Sequence, residues 1–199
     1  MNIIQSLLDL DLSLLNEARY LVDPKYATII QLLGEFVVLY GAVFLVSLWL
    51  YGTFQKDYKY KRIALSVFYT IVLVFLVYAV INLGIPKWRL GAMEIPGAIA
   101  PLIPHPIDNS FPSGHALFTI AFLVGVYRYF YKIQLLLFIG AIGVVTLVSR
   151  VIGGVHYPGD IIGGLIIGGI TAYFLKDIVD FLVLKTSPII IKIASWFKL

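Results

Sequence analysis

Residues 63–85 read IALSVFYTIVLVFLVYAVINLGI, a run of 23 residues without one charged side chain. A bilayer core of about 30 Å is crossed by a helix of ~20 apolar residues, so this stretch has the length and composition of a transmembrane span. Working outward, Ala27 to Tyr51 reads the same way. His115 to about Tyr131 and Ile133 to Ser149 follow, both near the short limit. Asp160 to about Leu184 is a fifth candidate, although Lys176, Asp177 and Asp180 suggest that its last turns leave the hydrocarbon.

The composition agrees with these segments. Of 199 residues 60% are hydrophobic and only 13% charged, with a mean hydropathy of +0.95. Soluble domains carry about 25% charged residues, so the charge present does not cover a soluble particle of this mass. Disorder and a repeat solenoid are excluded on the same grounds. The expected architecture is an all-α integral membrane protein, one domain over residues 1–199, built as a compact bundle of five to six helices.

The two ends differ from the spans. Ile3, Leu7, Leu10, Leu14 and Leu21 recur at helical spacing, with Asp9, Asp11, Glu17 and Arg19 between them. Residues 1–24 therefore read as an amphipathic helix on the membrane surface, with a spanning helix as the alternative. It has no basic n-region and is not read as a cleaved signal peptide. The stretch from about 186 to 199, with Lys192 and Lys198 among isoleucines and Trp196, reads as a surface segment.

Charge sets orientation. Lys56, Lys59, Lys61 and Arg62 crowd the first turn between spans, and Arg128, Lys132, Lys185, Lys192 and Lys198 fall on the same side. The positive-inside bias makes that side cytoplasmic. The segment 86–114 and the loop 150–159 then face outward, in the periplasmic or extracellular direction from a cytoplasmic (inner) membrane. No run of basic residues suggests nucleic-acid binding. With no cysteine in the chain, disulfides and thiolate metal sites are excluded.

Two polar clusters fall on this outer side. Phe111-Pro112-Ser113-Gly114-His115 opens the third span. Ser113 suits an N-cap, and a helix start carrying Ser and Gly directs amide donors and the positive dipole end at an anion. The second cluster runs from Ser149 to Asp160 and includes Arg150 and His156. Asp160, four residues after His156, is placed to fix the imidazole tautomer. Arg150 supplies a planar fork suited to phosphate oxygens. Each cluster alone is also explained by helix capping or an interfacial salt bridge, with Arg150 bridging to Asp160. Together, two of the chain's three histidines, an arginine, a carboxylate and an amide cradle form a set able to position, stabilise and transfer a phosphoryl group.

Pro112-Ser113-Gly114-His115 and Ser149-Arg150-x5-His156-x3-Asp160 resemble the second and third signatures of the type-2 phosphatidic acid phosphatase superfamily. The resemblance implies a helical membrane bundle that hydrolyses a lipid phosphate or diphosphate through a phosphohistidine, with no metal or other cofactor. It makes His156 the nucleophile, Asp160 its orienting partner and His115 the acid for the leaving oxygen. Arg150, Ser113 and the Gly114 amide become phosphate ligands. The superfamily's first signature, Lys-x6-Arg-Pro, is altered: Lys87 is followed seven residues on by Glu94 rather than arginine. Lys87 and, from another register, Arg89 are the expected remaining phosphate ligands. The stretch 102–113 and Leu33-Gly34-Glu35 resemble bacterial undecaprenyl-diphosphate phosphatases of the superfamily, although those typically carry Asp where Gly114 stands. Undecaprenyl diphosphate, phosphatidylglycerophosphate and phosphatidate are thus the candidate substrates. A lipid-to-lipid phosphotransferase is the alternative of the same chemistry, and a small transporter the alternative of another class.

Three features have plainer readings. Glu35 lies inside the first span, where a carboxylate invites a functional reading; a structural hydrogen bond to another helix explains it equally, and the catalytic set stands without it. His105 reads as a loop or headgroup residue. Gly163, Gly164, Gly168 and Gly169 suit close helix packing within the bundle.

Overall fold

The computed structural model describes residues 3–84, 97, 99–104 and 109–198, which contain seven α-helices and no strand. These are α1 (Ile3–Tyr20), α2 (Ala27–Phe54), α3 (Tyr58–Gly84), α4 (Gly114–Tyr127), α5 (Ile133–Ile152), α6 (Pro158–Phe174) and α7 (Lys176–Trp196), with a 3-10 turn at Pro24–Tyr26. Three helical stretches are long and apolar enough to cross a membrane: 24–54, α3 and α5. α6 and α7 reach that length and apolarity only when taken together as one bent pair.

α4 is the axis of the bundle. It is apolar on every side, with Leu117, Ala121, Phe122 and Val126 fully buried, as expected of a helix enclosed by others. It packs against α2, α3, α5 and α6. The outer helices show the reverse pattern on their far sides. Leu32, Leu39 and Val46 form an exposed stripe at intervals of seven residues on α2, and Ile162, Ile166 and Ile170 form one at intervals of four on α6. Such apolar stripes have a lipid chain as their natural solvent. The opposite face of α6 presents Gly164, Gly168 and Ala172, all buried. A Cβ on Gly164 would lie 2.8 Å from Ala116 Cβ, and one on Gly168 3.2 Å from Leu117 Cα. The glycines therefore serve close packing of α6 on α4 inside the bundle.

The fifth expected span divides. α6 ends with the Leu175 N–H donating to the Thr171 carbonyl, and the chain bends by 57° into α7. Lys176, Asp177 and Asp180 open α7, and Arg128 Nη2 donates to both Asp180 oxygens at 2.8 Å, fixing the new direction. Residues 186–196 continue α7 as helix rather than forming a separate segment. Ser187 and Ile191 are buried, and the Thr186 hydroxyl meets Tyr69 Oη at 2.8 Å, while Ile189, Ile193 and Trp196 face outward.

α1 lies across the start of α6 and the end of α5. Leu15 is fully buried against Tyr157, Leu12 and Val151, whereas Ile3, Leu7, Leu10 and Leu14 are exposed. Its polar residues hold neighbouring loops. Asn16 donates through Nδ2 to the Gly97 carbonyl at 2.6 Å and accepts from Ile99 N at 3.2 Å. Asp11 accepts from Gly159 N at 2.7 Å.

Candidate active site

The second polar cluster is folded back on itself at the end of α5. Arg150 occupies the last turns of that helix and is buried. Beyond it, Gly153 and Gly154 turn the chain. Gly154 takes φ +75°, and a Cβ there would meet Pro101 Cα at 2.9 Å, so both conformation and space require glycine. The amides of Val155 and His156 then return to the Arg150 carbonyl at 3.2 and 3.3 Å. This loop brings His156 beside the arginine six residues before it.

α6 begins immediately. Pro158 stands in its first turn, and Asp160 Oδ2 accepts from the Tyr157 amide at 2.9 Å. The same oxygen lies 3.6 Å from His156 Nδ1, with both side chains buried. A carboxylate opposite Nδ1 favours the tautomer protonated there and leaves Nε2 as the basic nitrogen. Tyr157 feels the same surroundings: burial, then the charges of Asp160 and Asp11, push its phenol up to about 12.

The first cluster is pinned to the second through the backbone. Ser113 is the N-cap of α4, and its N–H donates to the Asp160 carbonyl at 3.0 Å. The starts of α4 and α6, far apart in sequence, are thus one joined unit. Ser113 Oγ is buried and has no hydrogen-bond partner among the described residues. Gly114 and His115 occupy the first turn of α4, where the peptide donors and the positive dipole end lie.

Glu35 completes the arrangement. From α2 its Oε2 meets His115 Nε2 at 3.0 Å, and its Oε1 accepts from Arg150 Nη1 at 3.0 Å. Gly34 makes room for the arginine, since a Cβ there would lie 3.2 Å from Arg150 Cδ. Glu35, Gly114, His115 and His156 share a cavity of about 320 Å3 with Val38, Phe75, Tyr78 and Phe118. The cavity sets two imidazoles, a carboxylate and the start of α4 against apolar side chains, a mixed lining able to take a polar group carried on a hydrocarbon chain.

The structure thus brings together His115, His156, Asp160, Arg150, Ser113 and Gly114. It gives Arg150 a carboxylate partner in Glu35, which the sequence reading had left outside the site. Asp11, which steadies the Gly159 amide from α1, was also missed; its position on an amphipathic surface helix gave no sign of that reach. Lys87, Arg89, Glu94 and His105 lie outside the described residues. Among the described residues no three of His, Asp and Glu cluster as metal ligands.

Comparison with known proteins identifies the family. The PAP2 superfamily model matches residues 85–183, which contain both polar clusters. The chain is 32% identical over 153 residues to the bacitracin transport permease protein BcrC of Bacillus licheniformis, covering 74% of this chain and 68% of the relative. It is 27% identical over 155 residues to the undecaprenyl-diphosphatase BcrC of Bacillus subtilis, covering 78% and 76%. The fold matches the crystal structure of a transmembrane PAP2-type phosphatidylglycerolphosphate phosphatase from Bacillus subtilis. That match has a TM-score of 0.64 at 19% identity and covers 92% of this chain and 89% of the other. By its sequence matches and its helical fold, the chain belongs to the PAP2 superfamily.

Proposed function

We propose that this multi-pass membrane protein hydrolyses the phosphate or diphosphate headgroup of a membrane lipid through a phosphohistidine at His156. The observation that carries the proposal is the pairing of His156 Nδ1 with buried Asp160 at 3.6 Å, in a cavity shared with His115. Nε2 of His156 attacks phosphorus, forming the N–P bond as the bond to the leaving lipid oxygen breaks. His115 gives that oxygen its proton. In the second half His115 takes a proton from water, whose oxygen attacks phosphorus; the N–P bond breaks and inorganic phosphate leaves. Arg150, Ser113 Oγ and the Gly114 amide hold the non-bridging oxygens. No step requires a metal.

The substrate follows from the cavity and the relatives. Apolar Phe75, Phe118 and Val38 beside His115 and His156 suit a phosphate borne on a long hydrocarbon. Undecaprenyl diphosphate, named for the Bacillus subtilis relative, is the first candidate, with phosphatidylglycerophosphate and phosphatidate after it. The site opens toward the periplasmic or extracellular side, because Lys56, Lys59 and Arg62 occupy the opposite turn.

Brief incubation of the protein in detergent and EDTA with substrate labelled at the transferred phosphate should leave an acid-labile, base-stable phosphoprotein. His156→Ala should abolish both label and turnover while keeping the same thermal unfolding profile. Turnover that depends strictly on added divalent metal would sink this mechanism. Orientation is checked directly because the chain has no cysteine. A single cysteine at Lys59 should resist a membrane-impermeant maleimide in intact cells, and one at Gly97 should react; the reverse pattern would invert the site.

The Bacillus licheniformis relative is named as a transport permease, which favours a second reading, substrate passage across the bilayer. Here the ionisable cluster sits at one end of the bundle. Substrate flux into liposomes by His156→Ala, undiminished from wild type, would support that reading instead.

A further inference from the structure

Glu35 holds the same two groups that a bound phosphate would need. Its oxygens are divided between Arg150 Nη1 and His115 Nε2, each at 3.0 Å. A carboxylate gripping an arginine through one oxygen and an imidazole through the other presents a two-point anion, as two oxygens of a phosphoryl group do. The seat is shaped for it: Gly34 lets the Arg150 side chain lie against α2, and the next residue closes on the guanidinium. Arg150 is only 2% exposed at its side chain, while Glu35 is 56% exposed and lines the cavity. The arginine is therefore enclosed and the carboxylate is the partner an incoming group reaches first.

We propose that Glu35 is the resident anion of the phosphate site, neutralising Arg150 and His115 between turnovers and displaced by the incoming headgroup. The proposal rests on the phosphate-site reading given above. Taking the anion from a buried arginine is costly, so the site exchanges one anion for another at Arg150. Carboxylate and phosphate cannot share the two donors, since two like charges at that distance repel. Return of Glu35 then helps expel inorganic phosphate, the tightest-held charge left after hydrolysis.

The test measures binding of inorganic phosphate to the purified full chain in detergent and EDTA, by equilibrium dialysis with labelled phosphate. In parallel, phosphate inhibition of lipid dephosphorylation is followed by loss of substrate on chromatography. Glu35→Gln and Glu35→Ala should bind phosphate at least ten-fold more tightly than wild type, with inhibition strengthened alike and KM lowered. Glu35→Asp, which keeps a carboxylate, should stay nearer wild type. Phosphate binding that is unchanged or weaker in folded Glu35→Gln and Glu35→Ala overturns the proposal and makes Glu35 an orienting partner of His115. Should those variants fail to fold, wild type decides alone. Added phosphate should shift a carboxylate band in its infrared difference spectrum, and a silent carboxylate region overturns the idea. Failure of the enzymatic reading is separate: it appears as absent turnover in wild type, whereas the dialysis comparison needs no turnover.

Discussion

Local chain geometry made part of the site legible before any fold was known. Arg150, His156 and Asp160 lie within one turn-and-helix start, so the spacing that carries the motif also carries the contact. Glu35 is different. It is separated by 80 residues from His115 and by 115 from Arg150, and only helix packing brings them together. A carboxylate in an apolar span signalled that a partner must exist, without naming it. Tyr157 gives a prediction at this scale. Burial and the Asp160 and Asp11 charges push its phenol up to about 12, against about 10 in an unfolded chain. The native state therefore binds more protons than the unfolded state above pH 10. This contribution is fully present below pH 10 and is lost as pH rises toward 12. Thermal unfolding in detergent should show a larger loss between pH 9 and pH 11 for wild type than for Tyr157→Phe; equal losses would contradict it.

The joint between α4 and α6 is the element on which the site depends. It combines glycine-mediated contact with the Ser113 N–H to Asp160 carbonyl bond, which couples the helix start carrying Ser113 and Gly114 to the residue beside His156. A Cβ on Gly164 would sit 2.8 Å from the Ser113 carbonyl oxygen, so side-chain bulk there pushes on the site directly. Gly164→Val should destabilise the protein by about 1–3 kcal/mol through overpacking. Turnover should fall by more than ten-fold, whereas Gly140→Val, at a position with open space, should leave both unchanged. Equal effects at the two positions would refute the joint. The glycine pattern and the span positions were readable from composition alone. The division of the last span was only half readable: Lys176, Asp177 and Asp180 marked where apolar character ends, but the bend is fixed by Arg128 gripping Asp180, a contact between distant segments. The third candidate span already read as near the short limit, and α4 is shorter still at 14 residues, because a helix surrounded by other helices needs no lipid-length run of its own.

As a whole, the molecule carries the candidate site at one end and basic residues at the other, separated by a bundle whose outward faces are apolar. That the two polar clusters lie opposite the lysine-rich turn was visible from charge placement. How deep the site lies was not. The 14 residues of α4 rise only about 21 Å, whereas the hydrocarbon core is about 30 Å thick. Aromatic and basic residues at its far end, Tyr127 to Tyr131 with Arg128, suit a membrane boundary at that end. The N-terminus of α4, and with it the anion cradle, is then sunk below the opposite headgroup plane. Hydrophobic mismatch becomes a determinant of rate: a thin membrane lowers its headgroups toward the cradle, and a thick one lifts them away. In nanodiscs of phosphatidylcholine with acyl chains lengthened stepwise, turnover should decline as thickness grows, with phosphate affinity constant. Rates indifferent to chain length would place the cradle at the surface instead. A fourteen-residue helix thus makes bilayer thickness, as well as headgroup chemistry, a selector of the membranes in which this enzyme works.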